Sequence, residues 1–486
     1  MTMTQYILAI DQGTTGTTAL LIDSDLNLRA KINHEFPQYY PKPGWVEHDP
    51  EEIWNSTLKA IKDCLALGKV DGKNIAAIGI TNQRETTLLW DRKTSGAVAN
   101  AIVWQDRRTA ERCQQLKAQG LEKIIQKKTG LVCDPYFSAT KLEWLLKEHK
   151  GDFCFGTIDS FLLWRLTGGQ VHATDATNAS RTMLFNLKTL AWDSELLKIF
   201  AVPQSVLPKI VSNSKKQGVT KNVPGLPDGI LITGMAGDQQ SALIGQACFE
   251  TGEAKCTYGT GSFILINIGR EPKPSRHGCL TTLAYLLNGQ PTYAWEGSAF
   301  IAGAAVQWLR DGLKIIKKSS DVETLALQVS DSGGVVFVPA LVGLGCPHWN
   351  PNARGVIAGI NRGTTDAHIA RATLEGIAFC QHDILEAFEK DLKKPLAILK
   401  VDGGAAANNL LMQFQSDILQ TPISGPAMLE TTALGAAFLA GLGVGVWKDL
   451  NDIRKSWKEE RRFTPKISKK EVEEKVAIWR QTVAKA

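Results

Sequence analysis

Two aspartates define the chemistry this chain could attempt. Asp11 ends the apolar run Tyr6-Ile-Leu-Ala-Ile10 and leads into a small-residue turn, Gln12-Gly13-Thr14-Thr15-Gly16-Thr17-Thr18. Such a turn offers backbone N–H groups and hydroxyls with little side-chain bulk, which suits a phosphate chain. A carboxylate at the strand end can hold hydrated Mg²⁺ over those phosphates, or it can simply help form the turn. Asp238 follows Thr233-Gly-Met-Ala-Gly237 and opens a helical stretch. There it can cap the helix or take a proton from a substrate hydroxyl at the mouth of a cleft. Phosphoryl transfer asks a protein to position the γ-phosphoryl, neutralise its charge with a metal, and orient the nucleophile with one carboxylate. Asp11 as metal anchor and Asp238 as base would divide those tasks.

Further candidates cluster at the ends of other apolar runs. Arg84 and Glu85, in Thr81-Asn-Gln-Arg-Glu-Thr86, follow the strand-like stretch 75–80. Turned into a cleft, the arginine would donate to vicinal hydroxyls and the glutamate would accept from them; on a surface they would be an ordinary ion pair. Trp104 and Tyr136 could wall a small polyol, shielding its CH groups while polar side chains read its hydroxyls, or they could pack in a core. A third glycine turn, Asp402-Gly403-Gly404, leads to Asn408 and a helix with Leu411, Phe414 and Ile418 on one face. It allows close backbone approach to a nucleoside, and tight strand–helix packing would explain the glycines equally well. Gly303 and Gln307 fit either a ligand contact or small-residue helix packing.

The elements that must carry these residues repeat. Ala254–Tyr258, the turn Gly259-Thr260-Gly261 and the apolar run from Ser262 reproduce strand, Gly/Thr turn, strand halfway along the chain. Two phosphate-type hairpins predict a duplicated α/β architecture with two domains facing each other across a nucleotide cleft. Neither a P-loop nor a dinucleotide-binding glycine motif is present. Strand-like runs at 75–80, 101–104 and 230–232 alternate with helical periodicity at 50–67 and 139–149, as mixed α/β domains require. Residues 212–229, rich in Lys, Pro and Gly, read as a surface loop. The expected division is 1–248 and 249–486.

Composition sets bounds on function. At 486 residues the chain is too long for one core. Its 44% hydrophobic and 21% charged residues are ordinary for a globular protein. A net charge of +6, with acidic and basic residues interleaved, suits small anionic substrates and gives no case for nucleic acid. No apolar run is long enough to cross a membrane, and no signal-peptide pattern opens the chain. The 9 cysteines are scattered with no Cys-x-x-Cys pair, as expected of small buried side chains in a reducing, cytoplasmic setting. The 8 histidines show no ligand spacing, so zinc is not expected.

Taken together these motifs resemble the FGGY carbohydrate kinases, and the early ones resemble the members that act on glycerol. The matching stretches include Asp11–Thr15, Tyr40–Pro50, Gly79–Thr87, Ala101–Gln105, Tyr136–Trp144, Gly234–Gln240, Tyr258–Gly261, Gly355–Glu375 and Asp402–Ala405. The resemblance implies two actin-like (RNase H-like) α/β domains that close over MgATP and glycerol. It assigns Arg84, Glu85, Trp104, Tyr136, Asp238, Gln239 and Phe263 to the glycerol pocket. Thr14, Thr15, Gly16, Thr260, Gly303, Gln307, Gly404 and Asn408 become nucleotide contacts. Asp238 becomes the general base, and Asp11 with Asp238 the Mg²⁺ partners; a homo-oligomer, dimer or tetramer, is expected. Another small polyol or ketose, or a weakly catalytic nucleotide-binding regulator, remain as alternatives. Three departures stand out. Thr18 occupies the place of the family's hairpin arginine. Gly343-Leu-Gly-Cys-Pro-His348-Trp-Asn350-Pro replaces Gly-Leu-Gly-Ala-Pro-Tyr-Trp-Asp-Pro. Asn222–Asp228 replaces the loop that binds fructose 1,6-bisphosphate in some bacterial members, so that inhibition is not carried over.

Overall fold

Alternation decides how the first hairpin is buried. Strands β1 (Tyr6–Gln12) and β2 (Gly16–Asp23) pair antiparallel, with Asp11 opposite Thr18. Leu8, Ile10, Ala19 and Leu21 pack with Ile53, Trp54 and Ile61 of helix α1 (Pro50–Gly68). Ile7, Ala9, Leu20 and Ile22 pack with Ala433, Ala436, Ala437 and Ala440 instead. Successive side chains of a strand point to opposite faces. With both faces covered, the strands read as unbroken apolar runs. The computed structural model describes residues 5–486; the first four, part of the expected first domain, lie outside the described residues.

Four more strands complete the first sheet: β3 (Leu28–Glu35), β4 (Ile75–Asn82), β5 (Ser214–Val219) and β6 (Leu231–Gly237). The order is β5-β6-β4-β1-β2-β3, with β1, β4 and β6 parallel. Helices α2 (Ser138–Glu148) and α3 (Asp238–Gly245) belong to this half. The second sheet repeats the plan around its own hairpin, β7 (Ala254–Tyr258) and β8 (Ser262–Gly269). With β9 (Leu280–Leu287), β10 (Gln290–Ala299), β11 (Leu399–Asp402), β12 (Ile423–Pro426) and β13 (Glu459–Phe463), its order is β9-β10-β8-β7-β11-β12-β13. In each sheet the hairpin is central, an antiparallel strand lies beyond its second arm, and parallel strands lie beyond its first. This is the duplicated α/β arrangement that the two hairpins predict, and the one that the family resemblance implies as actin-like.

Helices α4 (Gly303–Asp311), α5 (Asp366–Leu392) and α6 (Asn409–Leu419) attend the second sheet, and Leu411, Phe414 and Ile418 are buried as the α6 pattern requires. Helix α7 (Thr431–Val444) lies on the first sheet although it comes late in the chain. Small residues let it press against backbone. A Cβ on Gly79 of β4 would sit 2.1 Å from the Ala436 carbonyl oxygen, and one on Gly435 would sit 1.8 Å from that of Ser241.

Local differences from the sequence reading have physical causes. Within 212–229, expected to be loop, the structure has the edge strand β5. Its Lys215 and Lys216 hide the alternation, and charged side chains are what an edge strand tolerates. The expected strand 101–104 is only Ala101–Ile102, paired with Glu47–His48. Asp238 is not the cap of α3. Gly237 is, and Asp238 occupies the first turn, where a negative charge complements the helix dipole. All nine cysteines are buried and unpaired.

Candidate active site

The ends of β1, β4, β6, β7 and β8 converge between the two sheets, and the candidate residues meet there. A cavity of about 160 Å³ is walled by Arg84, Glu85, Trp104, Tyr136, Asp238, Gln239 and Phe263, with Thr14, Thr15 and Thr260 at its edge. Trp104 stands edge-on to Tyr136 and Phe263, with ring centroids 5.6 and 6.3 Å apart, and its indole N–H donates to Thr14 Oγ1 at 2.9 Å. The aromatic ring wall thus joins the first hairpin to the second.

The polar side of this cavity is a buried charge network. Arg84 donates through Nη1 and Nη2 to Glu296 at 2.6 and 2.9 Å, through Nη1 to Gln240 at 3.1 Å, and through Nη2 to the Tyr136 hydroxyl at 3.4 Å. Its Nε lies 3.1 Å from Asp238 Oδ1, the same oxygen that accepts from the Gln239 N–H at 2.7 Å. Arg181 donates to Glu85 at 2.6 Å and to Glu296 at 3.0 Å. Burial pushes the Glu85 carboxyl above its ordinary range, and Arg84 and Arg181 oppose that shift. Burial also acts upward on Glu296, but the two arginines outweigh it and hold that carboxyl low. Lys255 Nζ donates to Gln239 Oε1 at 2.5 Å, fixing the amide beside Asp238.

A second cavity of about 460 Å³ adjoins the first. Gly303, Gln307, Gly404 and Asn408 line it, and Gly259 and Thr260 line both. Gly303 donates its N–H to the Gly259 carbonyl at 3.0 Å, so α4 starts directly on the second hairpin turn. Gly403 has φ +86°, and a Cβ there would lie 2.5 Å from the Tyr258 carbonyl oxygen. Asn408 caps α6 by accepting the Leu411 N–H at 2.8 Å. The glycine turn therefore serves tight packing and forms a cavity wall at once.

Asp11 and Gly16 are placed differently. Gly16 lines neither cavity; its carbonyl closes the first turn onto the Gly13 N–H at 2.9 Å. Asp11 is also outside both linings, yet burial and the nearby carboxylates of Asp238 and Glu430 push it up to about 8. A cation would relieve that repulsion, so Asp11 and Asp238 could hold one. Among the described residues no group of three or more His, Cys, Asp or Glu side chains could hold a metal ion. Sequence reasoning missed Glu296, Arg181 and Lys255. Each lies in an apolar or small-residue run, and a buried charge within such a run is the signal that could have found them.

Residues 6–245 match the N-terminal domain of the FGGY family of carbohydrate kinases, and residues 254–444 match its C-terminal domain. The chain belongs to the FGGY family of carbohydrate kinases. Among curated FGGY relatives, the chain is 55% identical to the glycerol kinase of Myxococcus xanthus over 496 residues, covering 100% of each. The crystal structure of Plasmodium falciparum glycerol kinase with ADP superimposes with a TM-score of 0.90 at 40% identity, covering 99% of this chain and 98% of that one. Gluconate kinase from Lactobacillus acidophilus, at 27% identity, gives 0.86 over 99% and 96% of the two chains. The FGGY fold is thus shared by kinases of different substrates, and the pocket must decide between them.

Proposed function

We propose that this enzyme is a glycerol kinase, transferring the γ-phosphoryl of ATP to a terminal hydroxyl of glycerol to give sn-glycerol 3-phosphate. The observation that carries the reading is the small cavity in which Asp238, the Arg84–Glu85 pair and three aromatic rings converge, joined through Thr260 to the larger one. Its full-length likeness to glycerol kinases supports the same substrate. ATP fits the larger cavity, with adenosine near Gly404 and Asn408 and the phosphates running over the two hairpin turns. Both contacts to Asp238 fall on Oδ1. Oδ2 is then the atom that takes the hydroxyl proton as the oxygen attacks the γ-phosphoryl. Mg²⁺, held through Asp11 and Asp238, would supply charge neutralisation over the phosphates. In this reading the two closing lobes divide at 248–249, except that α7 of the second half packs on the first lobe. A glycerol-dependent ADP-release assay beside a panel of small polyols and ketoses tests it; faster use of another member of the panel would overturn the substrate.

Glu85→Ala is expected to raise the glycerol KM far more than the ATP KM. A pocket that hydrogen-bonds hydroxyls leaves its own groups unpaired when a hydroxyl is missing, so propane-1,2-diol and propane-1,3-diol should be poor substrates of the unaltered enzyme. Parallel movement of both KM values would assign Glu85 to lobe closure or stability.

Thr18→Arg is expected to lower the ATP KM or raise turnover. Thr18 lies across the β1–β2 pair from Asp11 and accepts from Asn33 Nδ2 at 2.9 Å. An arginine there would add a positive fork beside a carboxylate crowded by its own kind, within reach of phosphate oxygens. Lys31, the basic side chain nearest in this row, is paired with Glu430. Unchanged or poorer use of ATP would show that the chain has compensated elsewhere and that the departure at Thr18 carries no functional message.

Cytoplasmic location and a homo-oligomeric state belong to this proposal. No helix among the described residues is long and apolar enough to cross a membrane. The outward-facing Val342 and Ile360 offer apolar contacts for a second copy. A single-chain mass in light scattering would overturn the oligomer.

A further inference from the structure

Glu85 is held from both ends. Its backbone has φ +62°, a left-handed conformation that a glutamate adopts only when its surroundings impose it. The imposing contacts are on its carbonyl, which accepts from Thr87 Oγ1 at 2.9 Å, Ser138 Oγ at 3.1 Å and Lys141 Nζ at 3.4 Å. At the other end Arg181 Nε donates to the carboxylate at 2.6 Å. Arg181 is fully buried, and its Nη1 has no hydrogen-bond partner among the described residues. Its guanidinium lies over the rings of Phe137 and Tyr136, 5.1 and 5.6 Å from their centroids.

A buried arginine with an orphan donor is a poor device for stability. Desolvating an ion pair can cost more than the attraction returns, and each unpaired buried donor adds to the cost. An apolar side chain of similar length would fill the space beside Phe137 and Tyr136 at least as well. What the apolar side chain could not do is point the Glu85 carboxylate. Arg181 also shares Glu296 with Arg84, through Nη2 at 3.0 Å on one side and the Arg84 pair on the other. Glu296 comes from β10 of the second sheet, whereas Arg84, Glu85 and Arg181 all come from the first half of the chain. The orientation of Glu85 is therefore tied to the opposite lobe.

We propose that Arg181 is a positioning and specificity-determining residue: it fixes the Glu85 carboxylate where it accepts from a polyol hydroxyl, and through Glu296 it couples that orientation to the second lobe. The proposal rests on the glycerol-kinase reading of the same pocket and adds a residue that lies outside the cavity wall. Without the Arg181 fork, Glu85 faces a site with one arginine for two buried carboxylates. It then loses its fixed direction, so hydroxyl recognition weakens while the nucleotide cavity is untouched.

Arg181→Lys keeps charge and length but presents a single ammonium in place of the two-armed fork. Steady-state kinetics should show the glycerol KM raised at least ~10-fold, the scale of one lost hydrogen bond to a charged group, with the ATP KM within about twofold of its starting value. The preference for glycerol over propane-1,2-diol should fall by a similar factor, because a loose carboxylate no longer rejects the diol. Arg181→Met should exaggerate both effects, and Lys should restore part of what Met loses. Thermal unfolding of Arg181→Lys within a few degrees of the unaltered protein completes the expected result. Turnover of glycerol by the unaltered enzyme tests the functional reading by itself; should another polyol be preferred, the same KM and preference ratios are read on that polyol. Unchanged KM and unchanged preference in a folded Arg181→Lys enzyme would overturn the proposal. So would equal rises in both KM values together with a lowered unfolding temperature, which would mark Arg181 as a structural residue only.

Discussion

Asp238→Asn is expected to lower glycerol-dependent turnover by at least ~10²-fold, the lower range for removing an acid–base group. The substitution is selective because the two carboxylate oxygens have different neighbours. Arg84 Nε and the Gln239 N–H both approach Oδ1, and an amide oxygen there keeps the Gln239 hydrogen bond while the attraction to Arg84 loses its ionic part. The amide nitrogen that replaces Oδ2 has no lone pair for a proton. Side-chain volume and the first-turn position in α3 survive, so glycerol binding should change far less than turnover. Steady-state kinetics with a circular-dichroism check on folding decides it. Near-normal turnover in a folded protein would sink the assignment of Asp238 as base.

Glu296→Leu is expected to destabilise the protein by about 3–5 kcal/mol, the usual cost of leaving buried partners without their counter-charge. Glu296 is fully buried and accepts from both Arg84 and Arg181. Removing it leaves two buried guanidinium groups at the centre of the interface between the sheets with only Glu85 and, for Arg84, the partly exposed Asp238 as counter-charges. Glu296→Gln keeps the shape and one acceptor oxygen, which can still take the two contacts made to Oε1 by Arg84 and Arg181, so it should lose less stability than the leucine variant. Chemical denaturation of both variants beside the unaltered protein gives the comparison. Equal stability of Glu296→Leu and the unaltered chain would mean that the arginines find other acceptors when the carboxylate is gone.

The fold was legible because the hairpins carry their signal locally. Asp11 and Asp238 at strand ends, and two Gly/Thr turns between apolar runs, suffice to propose two facing α/β domains. Individual walls of the pocket, such as Trp104 and Tyr136, were ambiguous alone because an aromatic in a core and one in a cavity have the same sequence environment. Glu296 and Arg181 were invisible for another reason: their partners lie 212 and 96 residues away in the chain, to Arg84 and Glu85 respectively. Pairings at such separations leave no periodic trace. The chain's departure at His348 is a similar case. Its Nε2 lies 2.9 Å from Asp383 Oδ2, which also accepts from Trp479 Nε1 at 2.9 Å. These contacts join a loop, α5 and the helix Lys469–Val483, a meeting that no local pattern announces.

The late position of α7 bears on how the protein is made. The face of the first sheet formed by Ile7, Ala9, Leu20 and Ile22 waits for Ala433, Ala436 and Ala440 to cover it. A ribosome adding roughly 5–20 residues per second needs roughly 10–40 s to travel from residue 248 to residue 444. Throughout that interval the nascent first half has its strands but lacks one cover, and its apolar face is open to other chains. A break at 248–249 therefore separates the two sheets without separating their cores. The first half expressed alone should aggregate, and adding back a segment that contains 431–444 should recover soluble protein.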